Sequence, residues 1–201
     1  EFIIKEKEFS IYDDLKINCK NRNIIIINEE LFIKTLYLND KENYEKINKF
    51  IAESFGEDED YLFHTIIIRK KAIIYVIKAG NRVNKLCRQA KNIKVTPIQF
   101  IIKDKLKKLI KKSTWTALIY IFKTYYLLTC EENIIINSYI GENINFINDK
   151  LMELNNEEII YIGKNIDLKI LNKNNKYYVI EEEVKESDIF NKRFFTLRIF
   201  Y

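Results

Sequence analysis

Glycine and proline are scarce in this 201-residue sequence, which contains four glycines and one proline. Disordered linkers are rich in such residues, so little room remains for a linker between independent domains. Phosphate-binding loops also need glycine, because their backbone amides approach the anion closely. Neither G-x-x-x-x-G-K-S/T nor G-x-G-x-x-G occurs, which excludes the common glycine-rich nucleotide motifs.

Histidine and cysteine are also rare, and their placement argues against the usual catalytic and metal sites. His64 is the only histidine, and the surrounding YLFHTIII does not resemble a nucleophile turn. The cysteines, Cys19, Cys87 and Cys130, are widely spaced among apolar residues, which favours buried free thiols over a disulfide framework. We therefore predict a reducing compartment, no metal site and no catalytic residues.

Long apolar runs are missing as well. No uninterrupted stretch approaches the roughly 20 residues that span a bilayer, and no signal peptide is visible. Hydrophobic residues nevertheless make up 47% of the chain, and 13 Tyr and 13 Phe can supply much of a core. This content suits one large domain or two small subdomains packed together.

Positive charge is concentrated in one segment. The chain has a net charge of +5, and residues 103–112 (KDKLKKLIKK), with six lysines and one aspartate, carry the same net charge. The segment belongs to an amphipathic helix predicted over 98–112, where we single out the candidate contact residues Lys103, Lys107, Lys108 and Lys111. A solvated helix face is the first interpretation, and contact with an acidic partner or an anionic membrane is the second. Nucleic acid ranks last, because no nucleic-acid signature accompanies the lysines.

The stretch from Thr114 to Gly141 predicts three consecutive antiparallel strands. Residues 116–122 and 125–129 are apolar on both alternating faces, a pattern typical of strands covered on both sides. Short polar connections, Lys123-Thr124 and 130–133, separate the strands. A third strand and a helix, ENINFINDKLMEL, follow.

The remaining pattern alternates strands with helices. Strands are predicted over 2–9, 23–27, 31–38, 61–68, 72–78, 93–96, 158–162, 177–180 and the C-terminal RFFTLRIFY, and helices over 40–55, 81–92 and 98–112. Gly56 is expected to end the first helix and Pro97 to begin the last. The mixture predicts an α+β or mixed α/β fold rather than a simple parallel array.

The order of these elements resembles a known family. NIIIINEELFIKTLYLN, then YLFHTIIIRKKAIIYVIKAGNRVNKLCRQAKNIKVTPIQF, then TWTALIYIFKTYYLLTCEENIIINSYIG follow the pattern of the actin-like scaffold proteins of type IV pilus assembly and type II secretion, PilM and cytoplasmic GspL. The resemblance spans roughly residues 23–163. It implies a degenerate actin-like (ribonuclease H-like) fold of two small subdomains packed as one unit. The first would be 1–112, with an inserted β-hairpin and helix, and the second 113–201.

The resemblance also locates where a nucleotide would bind. Nucleotide-binding members carry an acid and a glycine in the second-subdomain hairpin, and strand alignment puts Tyr120 and Phe122 at those places. Aromatic side chains block a phosphate and offer no magnesium ligand. No glycine precedes Gly56, and the adenosine loop would correspond to IIYIG, ending at Gly163. We expect a degenerate site without ATP hydrolysis or a bound cofactor.

The resemblance implies a non-enzymatic cytoplasmic scaffold, peripheral to or anchored at the membrane, that links inner-membrane platform proteins to the assembly ATPase. In PilM-type relatives a groove in the first subdomain receives the partner's N-terminal segment, whereas GspL-type relatives carry their own membrane helix after the domain. Two alternatives stay open: an actin-like ATPase, and a module that binds anionic membranes or nucleic acid through the Lys-rich helix 98–112.

Overall fold

Hydrophobic periodicity in the sequence produces thirteen strands and five α-helices in the part of the chain that the structure describes. The structure is a computed structural model, and it describes residues 2–4, 7–9, 20–38, 44–56, 60–154, 159–182, 184–189 and 195–199. The strands are β1 (Phe2–Ile4), β2 (Lys7–Phe9), β3 (Asn21–Ile26), β4 (Phe32–Tyr37), β5 (Tyr61–Ile68), β6 (Lys71–Lys78), β7 (Asn92–Pro97), β8 (Trp115–Ile121), β9 (Thr124–Glu131), β10 (Ile134–Gly141), β11 (Ile159–Gly163), β12 (Lys176–Ile180) and β13 (Phe195–Ile199). The helices are α1 (Tyr44–Phe55), α2 (Gly80–Cys87), α3 (Ile98–Ile110), α4 (Ile144–Met152) and α5 (Glu186–Ile189), with a 3-10 turn at Leu168–Ile170.

Two five-stranded sheets share one arrangement. The second sheet has the order β10-β9-β8-β11-β12, in which β8, β9 and β10 are antiparallel and β11 and β12 run parallel to β8. The first sheet has the order β2-β1-β13-β3-β7, in which β2, β1 and β13 are antiparallel and β3 and β7 run parallel to β13. This is the ribonuclease H-like order. We call the parts of the molecule built on the first and the second sheet its first and second halves. The occurrence of this order in both halves confirms the predicted mixed α/β, actin-like fold.

The C-terminal strand β13 joins the first half of the molecule. It pairs in parallel with β3 and in antiparallel with β1, and so occupies the position that β8 has in the second sheet. The predicted boundary at 112/113 falls between α3 and β8, but the strand that the prediction assigned to the second subdomain lies in the first sheet. Where one strand was predicted over 2–9, the described residues form the two paired strands β1 and β2.

A three-stranded antiparallel sheet, β4-β6-β5, is added to the first half. Helix α1 covers one face, where Ile47 packs with Ala72, Ile74 and Val76 of β6. These elements form the segment for which the resemblance implies an inserted hairpin and helix. The start of this helix, predicted at residue 40, lies outside the described residues, and Tyr44, the first residue of α1, is 77% exposed. Gly56 ends the helix as predicted, with φ of 70° and its N–H donating to the Ala52 carbonyl over 2.9 Å.

One apolar core connects the three sheets. It contains β3, the inner face of β6, the buried face of α3 and one face of the second sheet, with fully buried side chains such as Ile24, Leu86, Ile102 and Leu128. The other face of the second sheet packs under α4, through Leu118, Ile147, Leu151 and Ile160. The β8 strand is buried on both faces, as its sequence predicts. No helix in the described part of the chain is long and apolar enough to cross a bilayer.

Helix α3 begins directly after Pro97, as predicted, but it ends at Ile110 and not at residue 112. Lys111 adopts a left-handed backbone conformation with φ of 55°, and its N–H donates to the Lys107 carbonyl over 3.3 Å. This hydrogen bond satisfies one of the free carbonyls at the helix end. The helix buries Ile98, Ile102 and Leu106 and so presents its lysines on the remaining surface.

Candidate functional site

Two open strand edges flank a cleft in the first half of the molecule. Among the described strands, β5 is the last strand of the three-stranded sheet and β7 is the last strand of the first sheet. A cavity of about 370 Å³ lies between them, with walls from Leu62, Phe63 and His64 of β5 and Val95, Thr96 and Pro97 of β7. The edge of a sheet presents unpaired backbone N–H and C=O groups that another strand can bind.

The floor of the cleft is apolar and aromatic. Ile26, Leu31 and Ile77 line it together with Tyr75 and Phe100, whose ring centroids are 5.0 Å apart. The exposed His64 ring stacks on Tyr75 at 6.1 Å and meets Phe100 edge to face at 5.9 Å. Polar side chains are therefore few in this cleft, and they lie along its walls.

The same floor is attached to the second half of the molecule. Tyr75 is 2% exposed, and its hydroxyl donates to the Ile135 carbonyl of β10 over 3.0 Å. Burial raises the pKa of Tyr75 well above its usual value, although the hydrogen bond opposes this. The tyrosine thus stays neutral and fixes the cleft floor to the second sheet.

A second polar connection joins the halves at the β8–β9 hairpin. Asn28, in a left-handed conformation with φ of 61°, accepts hydrogen bonds from the Thr124 hydroxyl at 2.9 Å and the Tyr126 hydroxyl at 3.0 Å. Both donors are almost fully buried. Asparagine tolerates this backbone conformation better than most residues. We call the set Asn28, Thr124 and Tyr126 the interlobe tether.

The hairpin turn beside the tether holds side chains where the resemblance places a phosphate loop. Its two central residues are Phe122 and Lys123, with φ of 51° and 58°, so the turn lies one residue earlier than predicted and Thr124 already belongs to β9. Such turns usually use Asn-Gly or similar pairs. Phe122 packs on the shared core, and Tyr120 packs against Tyr125 with ring centroids 4.5 Å apart.

The loop after Gly163, the predicted counterpart of the adenosine loop, is filled by its own chain. A Cβ added at Gly163 would lie 3.0 Å from the Asn165 side-chain oxygen and 3.6 Å from Ile119. The Asn165 amide donates to the Tyr120 carbonyl over 2.8 Å. Glycine therefore serves close packing between β11, its loop and β8.

A buried ion pair lies at the end of β3. Glu29 is 7% exposed and pairs with the Arg82 guanidinium, which also donates to the Lys78 carbonyl over 2.6 Å. The Gln99 side chain donates to the Glu29 carbonyl over 2.7 Å. Burial raises the pKa of Glu29, and Arg82 opposes that rise. Each charged group is satisfied by the other, which is typical of a structural role.

The four predicted contact lysines do not share one environment. The Lys103 side chain is 20% exposed, lies 3.0 Å from the Asp104 carboxylate and stands 5.8 Å from the Phe100 ring centre, close to the cleft floor. Lys107, Lys108 and Lys111 are exposed near the end of α3. Their role as a partner or membrane contact stays a prediction.

The predicted free thiols are confirmed at Cys87 and Cys130, whereas Cys19 lies outside the described residues. Burial raises the pKa of Cys130 to about 12 and also raises that of Cys87. Both thiols are therefore protonated and unreactive at neutral pH. Within the part of the chain that the structure describes, no group of three or more His, Cys, Asp or Glu residues is placed to hold a metal ion.

Comparisons place this geometry among solved structures. No protein-family model and no curated protein matches the sequence. The chain is similar to a Bacteroides thetaiotaomicron protein of unknown function with an actin-like ATPase fold, at 14% identity and a TM-score of 0.43, over 75% of this chain and 62% of that one. It is similar to the cytoplasmic domain of EpsL, an inner membrane component of the Vibrio cholerae type II secretion system. The identity is 9% and the TM-score 0.48, over 76% of this chain and 64% of that one. It is also similar to a chain of the PilM–PilN type IV pilus biogenesis complex, with 12% identity and a TM-score of 0.44, over 67% of this chain and 48% of that one.

The chain spans less than two thirds of each of these matched chains. All three structures are similar to this chain in fold, with TM-scores below 0.5. The assignment of an actin-like, ribonuclease H-like fold rests on the two strand orders, which agree with the family that the sequence resembles.

Proposed function

We propose that this chain is a non-enzymatic scaffold domain of a type IV pilus or type II secretion platform at the cytoplasmic face of the inner membrane. An extended segment of a membrane partner binds in the cleft between β5 and β7, and the domain connects that partner to the assembly ATPase. The observation that carries the proposal is the cleft itself, with an open strand edge on each side and an apolar floor.

The chemistry of the cleft suits a peptide better than a polar metabolite. A strand added to a sheet edge gains main-chain hydrogen bonds, and pockets for its alternate side chains provide specificity. Small-molecule sites instead combine an apolar cavity with a few convergent polar groups. Besides Tyr75, whose hydroxyl is bound to β10, the polar side chains among the cleft's lining residues are His64 and Thr96, and they lie on opposite walls.

The proposal of a scaffold without ATP hydrolysis is supported by the β8–β9 turn. A phosphate cradle needs backbone amides that an anion can reach. Here Phe122 packs on the core, Thr124 is engaged in the interlobe tether, and the turn contains no glycine. The resemblance stated above supports the assembly ATPase and the platform proteins as partners.

The test is a binding titration with a labelled peptide from the N-terminal cytoplasmic segment of the platform protein of the same organism. We expect binding by the 201-residue chain to weaken at least about tenfold in Val95→Arg, because the buried charge would have to be desolvated when the cleft fills. Ile93→Arg is the matched control, since Ile93 lies two residues away on β7, is 42% exposed and does not line the cleft. Equal affinities for the two variants would refute the cleft, and failure of the chain to capture the assembly ATPase at micromolar concentration would refute the scaffold.

A further inference from the structure

A second pocket, remote in sequence from the cleft, lies between the end of α3 and the last two strands of the second sheet. Its volume is about 360 Å³. Leu109 and Ile110 of α3 form one side, and Tyr161 of β11 and Tyr178 of β12 form the other. The carboxylates of Glu181 and Glu182 follow directly after β12 and complete the lining.

Two tyrosines on neighbouring strands line this pocket. They are register partners on β11 and β12, and their rings meet edge to face at 5.6 Å. Tyr161 is 9% exposed, whereas Tyr178 is 58% exposed. The face of an aromatic ring carries partial negative charge and attracts cations.

One of the chain's own cations lies over the ring of a lining tyrosine. The Lys112 ammonium lies 5.7 Å from the centre of the Tyr161 ring. The Lys105 ammonium lies 3.7 Å from the Glu182 carboxylate. Aromatic rings, carboxylates and an apolar wall thus combine into a site with the chemistry that receives a long basic side chain, whose methylene stem packs on apolar residues.

The pocket borders β12, the last described strand of the second sheet. Among the described strands, β12 has β11 as its one neighbour, and Tyr178 and Val179 on β12 are 58% and 40% exposed. An added strand would run along this edge and present alternate side chains to the pocket.

We propose that this pocket binds an arginine side chain of a partner protein, presented by an extended segment that pairs with the open edge of β12. Arginine fits better than lysine because its planar guanidinium both stacks on aromatic rings and forms paired hydrogen bonds with carboxylates. Lys112 acts as an internal competitor, which the arginine displaces from the Tyr161 ring. This inference concerns another surface than the cleft and does not depend on the proposed function.

The test uses the 201-residue chain and a synthetic peptide of alternating threonine and valine with one central arginine, acetylated and amidated at its ends. The comparison peptide carries citrulline, which has the same shape without the charge. We expect the citrulline peptide to bind about fivefold more weakly, the effect of a partly desolvated cation–π contact. We expect Tyr178→Ala to weaken the arginine peptide similarly, and circular dichroism checks that this exposed substitution leaves the fold intact.

The competitor supplies the sharper arm of the test. Lys112→Ala should tighten binding of the arginine peptide about threefold, because the Tyr161 ring face becomes free. Lys108→Ala is the control, since it removes the same charge from an exposed position four residues earlier, in the last turn of α3. Three outcomes overturn the proposal: equal binding of the two peptides, equal effects of the two lysine variants, or binding of free arginine as tight as that of the peptide.

Discussion

The two five-stranded sheets have the same strand order but obtain their strands in different ways. The second sheet takes all five from residues 115–180, and β8, β9 and β10 follow one another through two-residue turns. The first sheet combines β1 and β2 with β3, β7 and the distant β13. Local pairings close small loops, whereas distant pairings close large ones at a higher entropic cost. The same topology is thus built mainly from strands that are close in sequence in the second half, and from strands that are far apart in sequence in the first half.

The comparison also extends to the surfaces of the halves. Among the described strands, the first half has open edges at β7 and β5 on either side of the cleft, and the second half has one at β12. The interlobe tether joins the β8–β9 hairpin of the second half to Asn28 of the first. The shared core packs both halves together. We therefore expect the halves to unfold as one unit, despite their different construction.

The largest expected effect comes from breaking the ion pair of the first half. Arg82→Met leaves the Glu29 carboxylate buried without its partner, and we expect a loss of about 3 kcal/mol in the free energy of unfolding. Trp115, the only tryptophan, is buried in β8 and reports on the second half by fluorescence. Its transition should shift together with the circular dichroism transition of the whole chain. Separate transitions would show that the halves are independent.

The same variant has a defined pH dependence. Burial raises the folded-state pKa of Glu29 above the ordinary glutamate value of about 4.3. The folded state then binds the proton more tightly than the unfolded state, so this group stabilises the fold most below that value and less as the pH rises through the folded pKa. Loss of Arg82 raises the pKa further, and the melting temperature of Arg82→Met should fall more steeply with pH than that of the parent. Adding Glu29→Gln should remove the difference in slope, and an unchanged slope in the double variant would assign it to another group.

A smaller effect is expected from one hydroxyl of the interlobe tether. Tyr126→Phe removes a buried hydrogen bond to Asn28, and we expect a loss of about 1 kcal/mol. Tyr177→Phe is the matched control, because the Tyr177 hydroxyl donates to the Asn172 carbonyl over 2.7 Å within the second half. In Tyr126→Phe, amide hydrogen exchange should become faster at residues where the two halves contact each other. In Tyr177→Phe, the faster exchange should stay confined to residues near position 177. Identical exchange patterns would mean that the tether does not couple the halves.

The smallest expected effect concerns nucleotide. A ligand with a Kd of about 10 µM would stabilise the folded state by about 2.7 kcal/mol at about 1 mM. We expect Mg-ATP at that concentration to leave the melting temperature unchanged, because the Phe122 and Lys123 turn offers no open cradle. A reproducible rise would favour the alternative of an actin-like ATPase.

The local half of this fold could be predicted from sequence, and the long-range half could not. Strands β8 to β10 follow from alternating apolar residues within a few positions of their turns, and Pro97 and Gly56 mark helix ends by their own backbone limits. The central place of β13 follows from a pairing between residues more than 160 positions apart, Leu197 and Ile24. Periodicity within a segment contains no information about such a partner.

The candidate sites show the same limit. The cleft joins His64, Tyr75 and Phe100, which belong to three elements and which periodicity identified as strand or helix residues without a shared role. Asn28 follows a fully buried strand, and an asparagine there signals a left-handed turn, but its partners lie 96 and 98 residues away. The lysines of α3 could be identified from the sequence because they are close together in it. The position of the Lys103 ammonium over the Phe100 ring depends instead on how the side chains pack.

The β8–β9 turn leaves room to make the protein more heat-tolerant by design. A left-handed backbone costs a residue other than glycine roughly 1 kcal/mol. Phe122 offsets part of this through its contact with the core, but Lys123 is exposed and has φ of 58°. Glycine at position 123 would relax the backbone without removing a core contact. Such a more stable variant would stay folded over the longer incubations that are needed to capture weakly bound partners.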